Sequence, residues 1–136
     1  MELQFHSSAP SNDSFVANQS VLQMVLIELI QNALAYYEDN EISKRVVIIE
    51  YHTNLELTTI SVFSVDTCID EEALSAAGYD PISNRDSGLG LFMVNKFLQE
   101  MGAKIKTNAG RYFSIDNELN PGGVKISFQF NNRTNV

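Results

Sequence analysis

The chain has 136 residues, a length that fits one domain, taken here as residues 1–136, with a core of its own. Nine Lys and Arg against seventeen Asp and Glu leave a net charge of −8 with no basic block. That excludes a generic nucleic-acid or anionic-membrane partner, since both are bound through cationic footprints. Hydrophobic residues at 44% and charged residues at 19% exclude a disordered or fibrous chain, and a single cysteine, Cys68, excludes an internal disulfide.

Met1–Phe5 carries no cationic stretch ahead of an apolar run, so no secretory signal is expected. Residues 1–19 are expected as an N-terminal strand and loop, the loop being the Ser-, Asn- and Asp-rich Ser7–Gln19. Ser20 is a candidate cap for a helix over Val21–Tyr37, whose apolar residues cover nearly every face and so predict a buried helix. Gln23, Glu28, Gln31 and Asn32 interrupt that stretch, so no membrane span is expected and the cytoplasm is the expected location. Arg45–Tyr51 and Thr58–Val65 read as a hairpin of strands, with Ile60, Val62 and Ser64 on one face of the second and Asp66 at its end. Asp70–Leu74 has a short helical start, and Gly78–Asp86 reads as a loop. A helix over Leu91–Met101 is closed by Gly102, and strands follow over Lys104–Thr107, Arg111–Ile115 and Val124–Phe130, with a turn at Pro121–Gly123. This order predicts an antiparallel-rich sheet covered on one face.

Three features carry chemistry. Glu28 and Asn32 lie one turn apart on the same helix face. An amide oxygen suits a hard cation such as Mg²⁺, and a carboxylate one turn away can orient or deprotonate an attacking group. Asp66, at a strand end, can accept from an exocyclic amino group such as that of adenine. Ser87-Gly88-Leu89-Gly90-Leu91 opens a helix, where missing Cβ atoms and unpaired N–H groups suit a phosphate. Each also has a plainer role: hydrogen-bonded helix residues, a turn-initiating Asp and a tight turn.

In order, the three resemble the boxes of the GHKL superfamily of ATP-binding domains, and most closely the histidine-kinase-like ATPase. Glu28-Leu29-Ile30-Gln31-Asn32-Ala33 looks like the N box, Ser64-Val65-Asp66 the start of the G1 box, and Asp86 to Val94 the G2 box. Met101–Ile105 and Gly122–Phe128 resemble the closing strands, so the resemblance spans about Ser20 to Phe130. It implies a two-layer α/β sandwich (the Bergerat fold) with a mixed, mostly antiparallel sheet and helices on one face. It implies ATP and Mg²⁺ as cofactors, with Asn32 as metal ligand and Glu28 as the catalytic residue that positions or activates the attacking group. Asp66 becomes the adenine reader, Tyr36 an aromatic near the nucleotide, Ser87, Gly88, Leu89 and Gly90 the phosphate loop, and residues 78–86 a short ATP lid.

The sequence departs from this pattern where Thr67-Cys68-Ile69-Asp70 replaces the G1 glycines, where Asp86 replaces the first G2 glycine, and at Ala35, often basic in such kinases. His6 and His52 lack the context of a phospho-accepting helix. The expected function is the ATP-binding catalytic domain of a two-component sensor histidine kinase, passing the γ-phosphoryl group to a histidine on a separate dimerisation domain or partner signalling protein. The alternatives are a stand-alone serine-kinase anti-sigma factor and a degenerate, non-catalytic interaction domain.

Overall fold

The computed structural model describes residues 1–8, 19–68, 88–106, 110–119 and 122–132. In chain order they form β1 (Glu2–Ser8), α1 (Gln19–Asp39), β2 (Val46–Thr53), β3 (Leu57–Val65), α2 (Gly88–Glu100), β4 (Ser114–Glu118) and β5 (Gly123–Asn131). The strands make one sheet in the order β1-β2-β3-β5-β4. β1 runs parallel to β2, and the other neighbouring pairs are antiparallel. The expected α/β sandwich is therefore present.

Period-two alternation decides which side of the sheet is covered. Val47, Ile49, Ile60, Val62, Ile115, Phe128 and Phe130 share one face and pack with Val25, Leu29 and Ala33 of α1 and Val94 and Leu98 of α2. The opposite face carries polar pairs beside the buried Phe63: Ser61 and Ser127 share a hydrogen bond at 2.8 Å, Gln129 donates to Thr59 at 3.0 Å, and Lys125 pairs with Glu50 at 3.4 Å. The β2–β3 turn is closed by Asn54, whose side-chain oxygen accepts the N–H groups of Glu56 and Leu57, each at 2.8 Å.

Helix α1 corrects two expectations. It begins at Gln19, so Ser20 lies inside its first turn. It is not buried all round: Val25, Leu29, Ala33 and Tyr37 form the inner stripe, while Met24 and Ile27 are 48% and 52% exposed. Spacing of four residues keeps that stripe on one side of a 3.6-residue helix.

Both helices end in the same hydrogen-bond pattern. Ala103 N–H reaches Leu98 C=O at 2.9 Å and Gly102 N–H reaches Gln99 C=O at 3.1 Å, with Gly102 at φ 82°. In α1 the pattern runs Ile42 to Tyr37 at 2.9 Å and Glu41 to Glu38 at 3.2 Å, but the left-handed position is held by Glu41 at φ 53°. A Cβ in that conformation costs about 1–2 kcal/mol, partly offset by glycine's larger entropy loss on folding. Glu41→Gly is therefore expected to stabilise the fold by about 0.5–1 kcal/mol, read as a higher midpoint in urea with an unchanged slope.

The remaining differences lie near β4. No strand forms over 104–106: Lys104 N–H makes one bond to Gln129 C=O at 2.8 Å, then Lys106 N–H turns to Arg111 C=O at 2.7 Å. The strand expected over Arg111–Ile115 starts only at Ser114, because Asn95 of α2 takes the preceding segment. Its side chain accepts Tyr112 N–H at 2.7 Å and donates to Gly110 C=O at 3.1 Å. The first residues of the expected N-terminal loop, Ser7 and Ser8, belong to β1, and Gly123 belongs to β5 rather than to a turn. The expected helical start at Asp70–Leu74 and the lid at residues 78–86 lie outside the described residues.

Candidate functional site

Helix α1 carries the first cluster. Its inner stripe is pinned to β3 and α2, which leaves Glu28, Asn32 and Tyr36 on the flank of the stripe, each half-buried. Tyr36 packs its ring against the core, and its backbone carbonyl accepts both the N–H and the side-chain amide of Asn40, at 3.0 and 2.9 Å. Asn32 is different. Its side-chain nitrogen is buried and has no hydrogen-bond partner among the described residues. A buried amide group without a partner costs about 1–3 kcal/mol, which asks for an offsetting benefit.

Strand β3 delivers Asp66, which is exposed and sits at φ 61°. Asp tolerates the left-handed region better than most residues, but the conformation here is also held by its neighbours. Asp66 N–H donates to Gly122 C=O at 2.9 Å. The buried Thr67 hydroxyl donates to Ser64 C=O at 2.7 Å and accepts Val124 N–H at 3.0 Å. On the other side, the fully buried Tyr37 lies with its hydroxyl 2.6 Å from Val65 C=O and 2.7 Å from Val46 C=O. The end of α1 and the end of β3 are thus joined beside Asp66, bringing the Asn32–Tyr36 flank and Asp66 to the same end of the sandwich. Cys68, two residues on, is exposed.

Gly88, Leu89 and Gly90 are the first three described residues of α2, and the backbone N–H groups of a helix's first turn have no partner within the helix. This helix packs directly on α1. The preceding Ser87 lies outside the described residues.

Sequence reasoning missed Tyr37, Thr67 and Asn95 as organisers of this region. The signal for Tyr37 was present: it continues the Val25, Leu29, Ala33 stripe by one more step of four. Nothing local marks Thr67 or Asn95, whose partners are distant in sequence.

Burial raises the Tyr37 phenol above the ordinary value of 10.0, and the nearby Asp66 charge raises it further, while its bond to Val46 acts the other way. The folded chain therefore favours the neutral phenol. This contribution is intact below pH 10.0 and is lost as pH rises through the higher folded value. Wild type is expected to lose stability above about pH 10 more steeply than Tyr37→Phe, measured by urea denaturation at stepped pH.

The donors present fit a magnesium–nucleotide only in part through protein atoms. Among the described residues no group of three His, Cys, Asp or Glu side chains converges on one point. Asn32 supplies one buried side-chain nitrogen without a partner among the described residues, and its amide can turn either its oxygen or its nitrogen inward. A Mg²⁺ that takes a single protein oxygen and fills its shell with phosphate oxygens and water suits that arrangement.

No protein-family model matches the sequence. No curated protein matches it either. Solved structures do match by shape. The nucleotide-free catalytic domain of the histidine kinase ThkA superposes with a TM-score of 0.72 at 21% identity, covering 96% of this chain and 80% of that one. The mycobacterial sensor histidine kinase MprB gives 0.67 at 15% identity, with 97% and 82% covered. ThkA in complex with the response regulator TrrA gives 0.65 at 21% identity, with 96% of this chain and 34% of that chain covered. The architecture is thus the α/β sandwich expected from the GHKL resemblance. It is similar in fold to these histidine-kinase catalytic domains. Among the described residues, no helix is long and apolar enough to cross a membrane.

Proposed function

We propose that the chain is an ATP- and Mg²⁺-binding catalytic domain, residues 1–136, that passes the γ-phosphoryl group of ATP to a histidine on a separate dimerisation domain. The observation that carries this reading is the buried Asn32 side-chain nitrogen, without a partner among the described residues, in a chain with the fold of histidine-kinase catalytic domains. Asn32 would hold the metal, which neutralises phosphate charge when bound. The Gly88–Gly90 backbone, at the positive end of α2, would meet the phosphates. Asp66 would accept from the adenine amino group, and Tyr36 would flank the nucleotide. Glu28, one turn before Asn32, would orient the acceptor imidazole or take its proton. The response regulator seen with ThkA supports a signalling protein as the downstream partner, and the cytoplasm is the location that goes with this reading.

A second reading, a non-catalytic interaction domain, is favoured by one feature: Thr67-Cys68 stands where the resemblance calls for glycines that leave room for adenine. Calorimetric titration of the chain with a non-hydrolysable ATP analogue and Mg²⁺ tests the first reading. Magnesium-dependent heat is expected at micromolar to low-millimolar nucleotide. Absence of heat at millimolar nucleotide favours the interaction domain. Phosphate transferred from ATP to a partner is expected to be acid-labile, as phosphohistidine is; acid-stable label points to the serine-kinase alternative.

A further inference from the structure

The β2–β3 ladder stops at Val47–Ser64, one pair short of Val46 and Val65. At that point the Tyr37 hydroxyl lies between the two carbonyls, 2.7 Å from Val46 and 2.6 Å from Val65. A phenol has one proton, so it is shared between two acceptors and draws the two strand ends toward one point. Val65 immediately precedes Asp66, whose backbone departs from the strand into the left-handed region. Asp66 is exposed, and no described side chain bonds to its carboxylate; its direction is set through the backbone. Three contacts fix that backbone: Tyr37 on Val65, Gly122 on the Asp66 N–H, and Thr67 on Ser64 and Val124. Among the described residues, only the first comes from the helix layer. It also ties Asp66 to α1, the helix that carries Asn32 and Tyr36.

We propose that Tyr37 is a positioning residue that holds Asp66 at the angle needed to read the base, and so sets the preference of the site for adenine over guanine. The proposal rests on the nucleotide-binding reading above and adds a residue to it. Adenine presents an amino donor where guanine presents a carbonyl acceptor. A carboxylate fixed opposite that position accepts from one and repels the other. A carboxylate free to swing discriminates less, because it can turn away from the wrong base at little cost. Tyr37 touches neither base nor phosphate in this scheme.

Tyr37→Phe keeps the ring in the core and removes only the hydroxyl. Two readouts are taken on the whole chain: hydrogen exchange at the Asp66 amide relative to the Val47 and Val62 amides, and dissociation constants for Mg·ADP and Mg·GDP. Exchange at Asp66 is expected to quicken about tenfold and the ADP-over-GDP preference to fall about tenfold, with the melting temperature within about 5 °C of wild type. A general loosening would speed Val47 and Val62 as well and weaken both nucleotides alike. Unchanged exchange at Asp66, or a full preference retained despite faster exchange, overturns the proposal. Wild type binding neither nucleotide overturns the functional reading and the base selectivity with it; the exchange arm then reports separately whether Tyr37 holds Asp66. If Tyr37→Phe does not fold, 4-aminophenylalanine at position 37 decides, since it offers a separate N–H to each carbonyl. Selectivity at or above wild type supports the proposal, and selectivity lost in a folded protein overturns it.

Discussion

Asn32→Ala is expected to abolish magnesium-dependent nucleotide binding while leaving the fold as stable as wild type or slightly more so. Two contributions favour the variant's stability. Alanine is better than asparagine in a helix interior by roughly 0.6 kcal/mol, and removing a buried polar nitrogen without a partner recovers about 1 kcal/mol of desolvation. Against these stand the few contacts of a half-buried side chain. The net expectation is between no change and about 1 kcal/mol of added stability, read from urea denaturation. Binding moves the other way. On the proposed reading, loss of the Asn32 oxygen as a ligand of the cation should weaken Mg·ATP by about 100-fold or more, equivalent to roughly 3 kcal/mol. Opposite signs in the two measurements distinguish a functional asparagine from a structural one. A variant that loses stability and keeps its affinity would return Asn32 to the packing of α1.

Much of this was legible beforehand because the informative patterns are local. Strand β3 alternates, so its two faces follow from Ile60, Val62 and Ser64 alone, and the end of α2 follows from Gly102. Glu28 and Asn32 are one helical turn apart, a spacing that needs no tertiary knowledge. What could not be read depends on partners far away in sequence. Arg111–Phe113 has the composition of a strand, but Asn95 of α2 captures its backbone groups and delays β4 to Ser114. Apolar composition also misled for α1. Met24 and Ile27 are as hydrophobic as their neighbours, and only the sheet's position decides that they face outward. At the site, Asp66 was visible as a strand-end carboxylate, whereas the hydroxyls of Tyr37 and Thr67 that hold it are fixed by contacts with β2, β3 and β5.

The same dependence makes Gly123 a sensitive position on the sheet. It stands opposite Val65 in the β3–β5 register, and a Cβ there would lie 2.3 Å from Ser64 O and 2.8 Å from Phe63 Cε2. The first neighbour is backbone, so no rotamer change relieves the clash; the strands must separate or slip. Overpacking of this kind costs about 3 kcal/mol, a fall of roughly 10 °C in melting temperature for a domain of this size. Gly122 gives the control, because its nearest neighbour would be Glu118 O at 4.0 Å and there is room for a methyl group. Gly122→Ala should therefore melt close to wild type. The functional consequence follows from the Gly122 carbonyl, which accepts the Asp66 N–H. Forcing β5 away at position 123 pulls that acceptor from the Asp66 turn, so Gly123→Ala should weaken adenine nucleotides even well below its melting temperature. Titration at 10 °C beside a melting curve separates the two effects. Full affinity in the folded Gly123→Ala protein would mean that the Asp66 turn tolerates movement of its strand, and that the base is read elsewhere.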